Sequence, residues 1–265
     1  MKITYRKNIE TDYFSLSAQS IIGDRPEQQD AVYITGEGQN AFGIICDGMG
    51  GHSGGKIASE LTVNMFAKAY EEKDISDSPI KFLNNCANSS NVSVFNLCDA
   101  NGVRLRAGTT LVAFVMEKNQ VNFIGIGDSR IYLIRDGKIL QLTEDLNYSY
   151  KLKLMKQKGA ISSETYESEK EAKGEALISF IGLEKIEYRN LTEKPLILRE
   201  NDRIVLMSDG LYKRISDETI CEVAGSFSDT SLATSALLQQ SSKISKNKNQ
   251  DNTTLVILRV KEGKE

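Results

Sequence analysis

Ala41-Phe-Gly-Ile-Ile-Cys46 is an uninterrupted apolar run, and Asp47-Gly-Met-Gly-Gly-His52 follows it directly. A short apolar run bounded by Asp-Gly predicts a buried β-strand that ends in a tight turn. Residues 56–71 come next, and their apolar side chains recur at every fourth position, which predicts an amphipathic helix. The first third of the chain is therefore expected to run strand, strand, helix, helix.

Further along the chain, helix signals alternate with short strand signals. Ser78-Pro79 predicts the start of a second helix, because serine caps helices and proline suits the first helical position. Asp136-Gly137 predicts a two-residue hairpin turn. Two more helices are expected, from Ser216 onward and over residues 231–240. Short β-branched and apolar runs predict strands at residues 110–116, 121–126, 131–135, 138–142, 203–207 and 253–260.

Strands that come in runs, with helices in separate runs, favour an α+β fold with antiparallel sheets over a parallel β-α-β arrangement. The chain has 265 residues, only three prolines and no repeat or linker. We therefore predict a single domain over residues 1–265. Residues 143–175 are polar and charged without a long apolar run, which predicts a helical surface segment that we call the flap.

Composition excludes several classes of protein. The chain has 33 Lys and Arg against 36 Asp and Glu, a net charge of −3, which argues against binding to nucleic acid or to an anionic membrane. No apolar run approaches the roughly 18 residues that a membrane-spanning helix needs. The N-terminus is charged and is followed by no apolar segment, so we predict no signal peptide and a cytoplasmic protein.

Cysteine and histidine usage argues against a zinc site. The four cysteines are scattered without a C-x-x-C pair, so we expect packed free thiols in a reducing compartment. His52 is the single histidine, and any Ser-His-Asp triad would depend on it alone.

Four aspartates share one kind of position, next to an end of an apolar run: Asp47, Asp128, Asp209 and Asp251. If the strands pair into sheets, these ends converge, and uncompensated carboxylates would repel one another. A divalent cation offsets that repulsion, and oxygen ligands favour Mg²⁺ or Mn²⁺ over Zn²⁺. Each aspartate alone is explained more simply by turn chemistry, whereas the four together favour a metal site.

A set of short motifs recurs in a definite order along the chain. They are Arg25-Pro-Glu-Gln-Gln-Asp30, Asp47-Gly-Met-Gly-Gly-His52, Gly108-Thr-Thr110, Gly127-Asp-Ser-Arg130, Thr143-Glu-Asp145, Ser208-Asp-Gly-Leu211 and Asp251-Asn252. Together they resemble the motifs of the metal-dependent serine/threonine protein phosphatases, the PPM or type 2C family, in its bacterial form. The resemblance implies a four-layer αββα sandwich, in which helices flank two central antiparallel β-sheets.

The resemblance also implies which residues hold metal ions. Asp47 is similar to the residue that bridges two ions, and the carbonyl of Gly48 to a ligand of one of them. Asp209 and Asp251 resemble the acids that each hold one side of the pair. Asp128 resembles the ligand of a third, weaker ion. The implied cofactors are therefore two or three Mn²⁺ or Mg²⁺ ions.

Two residues are implied to act in catalysis. Arg25 resembles the arginine that grips the substrate phosphate, although a surface pair with Glu27 is the simpler alternative. Asp30 resembles an acid that orients metal-bound water. His52 is either a general acid or, more simply, an exposed or structural histidine. Eukaryotic members carry their candidate acid at the position of Met49, which has no proton to donate.

The implied reaction is hydrolysis of phosphoserine and phosphothreonine in proteins, by water activated between two ions and without a phosphoenzyme. The implied partners are phosphoproteins and a cognate Ser/Thr protein kinase, with no nucleic acid or membrane, and we expect a monomer. One alternative is a hydrolase of small phosphoesters that uses the same site. Another is a catalytically silent pseudophosphatase that acts as a binding module.

Four residues depart from the family pattern: Gln28, Lys56, Leu146 and Ser179 stand where Asn, Glu, His and Arg are common. None of them is an implied metal ligand. They bear on the flap, on the surroundings of the third ion and on substrate preference.

Overall fold

Two antiparallel β-sheets lie at the centre of the computed structural model, which describes residues 1–50, 54–73, 78–245 and 249–262. In chain order the strands are β1 (Ile3–Glu10), β2 (Phe14–Ile21), β3 (Asp30–Glu37), β4 (Asn40–Met49), β5 (Gly108–Thr109), β6 (Leu111–Glu117), β7 (Gln120–Ile126), β8 (Arg130–Arg135), β9 (Lys138–Gln141), β10 (Asn190–Leu191), β11 (Leu196–Ile197), β12 (Arg203–Met207) and β13 (Thr253–Val260). The helices are α1 (Gly54–Glu71), α2 (Pro79–Phe95), α3 (Tyr148–Gln157), α4 (Ser163–Lys173), α5 (Asp209–Tyr212), α6 (Asp217–Ser226) and α7 (Thr230–Ile244).

The first sheet has the strand order β1-β2-β13-β12-β8-β9. The second has the order β10-β7-β6-β4-β3, with β11 also paired to β7 and β5 to β4. Neighbouring strands pair antiparallel in both sheets. Three apolar clusters separate the layers: one between the sheets, one between the second sheet and α1 and α2, and one between the first sheet and α5, α6 and α7. The predicted α+β sandwich with four layers is confirmed.

Strand β4 shows why the apolar run in its sequence is continuous. Ala41 and Ile45 pack into the cluster between the sheets, whereas Phe42, Ile44 and Cys46 pack against α1 and α2. Successive side chains of a strand point to opposite faces, so a strand covered on both faces needs apolar residues throughout. The apolar run therefore identifies a strand in the middle of the sandwich.

The expected order of strand, strand, helix, helix at the N-terminus is wrong, since four strands precede α1. The sequence analysis located only β4 among these four, and β1 is a largely exposed edge strand with the polar sequence ITYRKNIE. Strand β2 alternates apolar with polar residues, yet all of its side chains are buried. Ser17 and Gln19 of β2 face α7: the Ser17 hydroxyl shares a hydrogen bond of 2.7 Å with the Thr230 hydroxyl, and Gln19 Oε1 accepts from the Ser235 hydroxyl at 3.0 Å.

Local turn and cap signals agree with the structure. Asp136 and Gly137 have φ of 51° and 68°, so the hairpin between β8 and β9 has left-handed backbone at both turn positions. Ser216 caps α6 by accepting a hydrogen bond from the Thr219 N–H, and Pro79 occupies the first turn of α2. These features depend on neighbouring residues, and a local pattern predicts them well.

The flap contains α3 and α4, and the side chains of α4 are all exposed or half-buried. Of the cysteines, Cys46 and Cys221 are buried as expected, whereas Cys98 is exposed. No helix among the described residues combines the length and the apolar character needed to cross a bilayer. The division of the chain into one domain stays a prediction.

Candidate active site

Three of the aspartates predicted to bind metal line one cavity at the ends of central strands. Asp47, Asp209 and Asp251 surround it together with Gly48 and Arg25, and its volume is about 410 Å³. Asp47 belongs to β4, Asp209 begins α5, and Asp251 lies just before β13. Antiparallel pairing brings these distant parts of the chain to one place. Their role as ligands stays a prediction.

Asp47 is held through its backbone by two threonines. Its N–H donates to the Thr110 hydroxyl oxygen at 3.0 Å, and its carbonyl accepts from the Thr109 hydroxyl at 2.8 Å. Asp47 lies inside β4 rather than beyond the end of the strand as expected. The reason is that β5 pairs with Gly48 and Met49 and so prolongs the strand.

Gly48 lies where only a residue without a side chain fits. A Cβ atom on Gly48 would come within 2.3 Å of the Gly55 carbonyl oxygen and 2.6 Å of the Gln29 carbonyl oxygen. The first turn of α1 therefore packs directly against the backbone of β4. The glycine that follows Asp47 is explained by this close approach rather than by a tight turn.

Asp30 lies behind the cavity and connects the strands that form it. It pairs in register with Asp47 across β3 and β4. Its Oδ2 accepts hydrogen bonds from the Ser208 hydroxyl at 2.8 Å and the Thr254 hydroxyl at 2.6 Å. Its Oδ1 is buried and has no hydrogen-bond partner among the described residues. Asp30 thus ties the ends of β12 and β13 to the pair β3 and β4.

Burial and mutual repulsion raise the pKa values of these carboxyl groups. Burial raises the pKa of Asp47 well above its usual range, and the charges of Asp30, Asp209, Asp128 and Asp251 raise it further. Burial also raises the pKa of Asp30 to about 7, against the effect of its two hydroxyl donors. Such a cluster stays ionised only where cations offset the repulsion.

The approach of α5 to β13 brings Asp209 close to Asp251. A Cβ atom on Gly210 would lie 2.1 Å from the Asn252 carbonyl oxygen and 2.6 Å from the Thr253 hydroxyl oxygen. Backbone atoms cannot yield to such a contact as a flexible side chain can. Glycine after Asp209 is therefore a steric requirement of this junction.

Gly210→Ala is expected to lower the free energy of unfolding by about 1–3 kcal/mol, since the added methyl group overpacks the junction. Gly225→Ala in α6 is the matched control, because a Cβ atom there meets nothing within 4 Å. It is expected to be neutral or to stabilise by up to about 1 kcal/mol. Urea denaturation measures both variants, and equal stability of the two would contradict the steric argument.

Arg25 pairs with Asp251 across the cavity. Its Nη2 lies 2.7 Å from Asp251 Oδ2, and the arginine side chain is 56% exposed. Asn252 fixes the loop that carries Arg25, since its Oδ1 accepts from the Gln29 N–H and its Nδ2 donates to the Ile22 carbonyl, each at 2.8 Å. The Asp-Asn motif thus provides both a cavity carboxylate and the anchor for its arginine.

Lys213 is a cation of the site that the sequence analysis missed. Its Nζ lies 2.9 Å from Asp209 Oδ2 and 2.9 Å from Glu175 Oε2 of the flap. Burial alone would lower the pKa of Lys213, but the charge and hydrogen bond of Asp209 outweigh it and raise the pKa. The spacing of four residues from Asp209 is a recognised ion-pair signal that could have identified this lysine.

Asp128 is not one of the described residues that line the cavity. The charges of Asp209 and Lys213 nevertheless act on its carboxyl group. Burial raises its pKa to about 6; the charge of Asp209 adds to the rise and that of Lys213 opposes it. Arg130, at the start of β8, donates to both carboxylate oxygens of Asp145, at 2.9 and 2.7 Å, and so holds the segment after β9. The ion pair of Arg130 with Asp145 therefore connects the motif that contains Asp128 to the motif that contains Asp145.

Within the described parts of the chain, no three acidic, histidine or cysteine side chains are preassembled around a single point suited to a metal ion. The ion pairs give a reason, because Asp251 is directed to Arg25 and Asp209 to Lys213. Arg25 is more than half exposed, and an exposed ion pair costs little to rearrange.

A family model described as protein phosphatase 2C matches residues 19–251. The chain belongs to the protein phosphatase 2C family. It is 31% identical over 201 residues to the serine/threonine protein phosphatase PstP of Mycobacterium tuberculosis, covering 75% of this chain and 36% of PstP. It is 31% identical over 182 residues to the serine/threonine phosphatase Stp of Listeria welshimeri, covering 66% of this chain and 68% of Stp. The match thus spans about a third of the length of PstP.

Solved structures of the family have the same fold. The serine/threonine phosphatase of S. agalactiae superposes with a TM-score of 0.79 at 25% identity, covering 94% of this chain and all of that one. The catalytic domain of PstP, in complex with two manganese ions, gives a TM-score of 0.74 at 27% identity, covering 94% of this chain and 99% of that one.

Three of the departures from the protein phosphatase 2C pattern have structural roles here. Gln28 donates to the hydroxyls of Thr4 and Ser20 and accepts from the Asp30 N–H, all within 3.0 Å. Leu146 is buried, and the Ser179 hydroxyl donates to a backbone carbonyl at 2.6 Å. These residues support the loops around the site. His52 lies outside the described residues.

Proposed function

We propose that the chain is a metal-dependent hydrolase of phosphoserine and phosphothreonine in proteins. The observation that carries the proposal is the single cavity lined by Asp47, Asp209, Asp251 and Arg25, in a member of the protein phosphatase 2C family. With Glu27, four carboxylates and one guanidinium line the cavity, and this composition suits a site that holds cations and a phosphate together.

The donor set fits a pair of divalent ions. Asp47 is half-buried among other carboxylates whose charges oppose its ionisation, and Asp30 has a buried oxygen without a partner in the described residues. Oxygen donors of this kind favour Mn²⁺ or Mg²⁺. Asp47, the Gly48 carbonyl, Asp209 and Asp251 would hold the ions. The structure of the PstP catalytic domain in complex with two manganese ions supports a count of two ions.

Besides the metal ligands, Arg25 and Asp30 would contribute to the reaction. Two bound ions would offset the charge of the phosphate dianion and lower the pKa of water at the site. Arg25 would bind the phosphoryl oxygens through its planar fork of donors, after turning from Asp251. Asp30 would hold the ends of β12 and β13 in position through Ser208 and Thr254.

Direct attack by water, without a phosphoenzyme, is supported by the composition of the cavity wall. Among the described residues that line it, none carries a hydroxyl, thiol or imidazole group. In this proposal the aspartates of the wall are engaged in holding the cations, which leaves water as the nucleophile. Met49 also lines the cavity and has no proton to give, so we propose that solvent protonates the leaving alkoxide.

A second cavity supports a polypeptide substrate over a small phosphoester. It has a volume of about 470 Å³ and shares Met49 and Gly50 with the first. Arg104 and Phe180 contribute to its wall. Because it adjoins the first cavity, residues beside a phosphorylated serine would dock in it. A cognate Ser/Thr kinase, a monomeric state and a cytoplasmic location belong to the same proposal.

The proposal is tested by comparing a phosphothreonine peptide with p-nitrophenyl phosphate, each with Mn²⁺ and with EDTA. We expect the metal to speed peptide hydrolysis by at least about 100-fold. We expect kcat/KM for the peptide to exceed that for the small ester by at least about tenfold, because binding outside the reacting group contributes. Faster hydrolysis of the small ester would favour the small-phosphoester alternative. A folded, Mn²⁺-saturated chain without turnover would favour a binding module.

A further inference from the structure

Lys213 pairs with two acidic side chains from different parts of the fold, and the charge of a third acts on it. Its Nζ is 2.9 Å from Asp209 Oδ2 and 2.9 Å from Glu175 Oε2. Asp209 begins α5, and Glu175 ends the flap. Asp128, in the turn after β7, lies within range of the Lys213 charge. The lysine side chain is 40% exposed and the Asp209 side chain 21% exposed, so part of this contact is shielded from water.

Asp128, one of the acids near Lys213, is held in place independently of the lysine. Asp128 follows Gly127, which has a φ of 103° and packs on the Thr110 side chain. The Ser129 hydroxyl shares a hydrogen bond of 2.7 Å with the Thr110 hydroxyl. The turn that carries Asp128 is therefore fixed by the residue that also fixes Asp47. An ammonium group at this position compensates an acid whose place is already set.

We propose that the Lys213 ammonium takes the place of a third divalent ion, so that this chain binds two ions and not three. The inference rests on the proposed function, since it assumes that Asp209 also faces the ion pair. The family resemblance implied a third ion at Asp128. Here a cation of the chain itself neutralises the acids around that position, and a further divalent ion would meet its repulsion.

The same contact links the flap to the site without a metal ion. Lys213 bridges Asp209 directly to Glu175, so the end of the flap is attached by an ion pair. Glu175 is 82% exposed, and an exposed pair of this kind contributes little stability by itself. Its effect is positional: the location of the flap end does not depend on a third ion.

The test counts the manganese ions bound per chain by equilibrium dialysis over a range of Mn²⁺ concentrations, independently of turnover. We expect two ions for the unaltered chain. Lys213→Met keeps the length of the side chain but removes the charge, and we expect it to bind a third ion at least about tenfold more tightly than the unaltered chain does. Lys213→Arg keeps the charge and should remain at two.

Two further variants locate the third ion. Adding Asp128→Asn to Lys213→Met should return the count to two. Lys153→Ala removes another flap lysine, which pairs with Glu144 at 3.3 Å, and should leave the count at two. Thermal melting verifies that each variant is folded.

A count of three in the unaltered chain would overturn the inference while leaving the hydrolase proposal intact. A count of two in folded Lys213→Met would overturn it in the same way. No bound manganese in the folded, unaltered chain would overturn both proposals.

Discussion

Asp209→Asn is expected to lower the rate of phosphopeptide hydrolysis at saturating Mn²⁺ by at least about 100-fold, while the chain remains folded. Loss of a group that only supports a ligand already costs about 10–100-fold, and loss of the ligand itself should cost more. Asparagine matches aspartate in shape, so the junction of α5 with β13 is preserved. Only the charge that faces the cavity and Lys213 is removed.

Asp136→Asn is the matched control for this change. Asp136 occupies the hairpin turn between β8 and β9 with a φ of 51°, a conformation that asparagine adopts readily. The control should hydrolyse the peptide at the unaltered rate. Circular dichroism and the count of bound manganese complete the measurement. A rate for Asp209→Asn within a few-fold of the unaltered chain would remove Asp209 from the proposed site.

Asp47→Asn is expected to separate stability from activity. In EDTA the free energy of unfolding should rise by about 1–3 kcal/mol, because a half-buried carboxylate surrounded by like charges is removed. The sign follows from the raised pKa of Asp47. The folded chain holds this proton more tightly than the unfolded chain, so ionisation at neutral pH costs stability. Turnover with Mn²⁺ should fall by at least about 100-fold.

Thermal melting with and without Mn²⁺ checks both effects. In EDTA the variant should melt about 2–10 °C above the unaltered chain. Added Mn²⁺ should raise the melting temperature of the unaltered chain, since a ligand of the folded state stabilises it, and should raise that of the variant far less. A variant that is less stable in EDTA would contradict the electrostatic account. A full response to Mn²⁺ would contradict the role of Asp47 as a ligand.

The parts of the fold that depend on neighbouring residues were predictable. The apolar run before Asp47, the Asp136-Gly137 turn and the cap at Ser216 were each found where the sequence indicated. Strand β1 was not found, because an exposed edge strand has no apolar face to produce a period. Strand β2 was not located either, although it is buried, because half of its buried positions are polar.

The partners of the charged groups were not predictable in the same way. Arg25 pairs with Asp251, whereas its sequence suggested Glu27 as the simpler partner. Lys213 reaches Glu175 because α5 lies beside the end of the flap. Asp30 faces Asp47 because of the register of β3 on β4, and a shift of one residue would separate them.

The sequence by itself determined which residues could do chemistry here: acids beside apolar runs, and glycines after Asp47 and Asp209 where another backbone comes close. Those properties are local, since they follow from side-chain chemistry and from the conformations open to each residue. Only the tertiary structure decided which acids share a cavity and which basic groups form ion pairs with them. Strand register and helix placement set those distances, and both depend on packing between parts of the chain that are far apart in sequence.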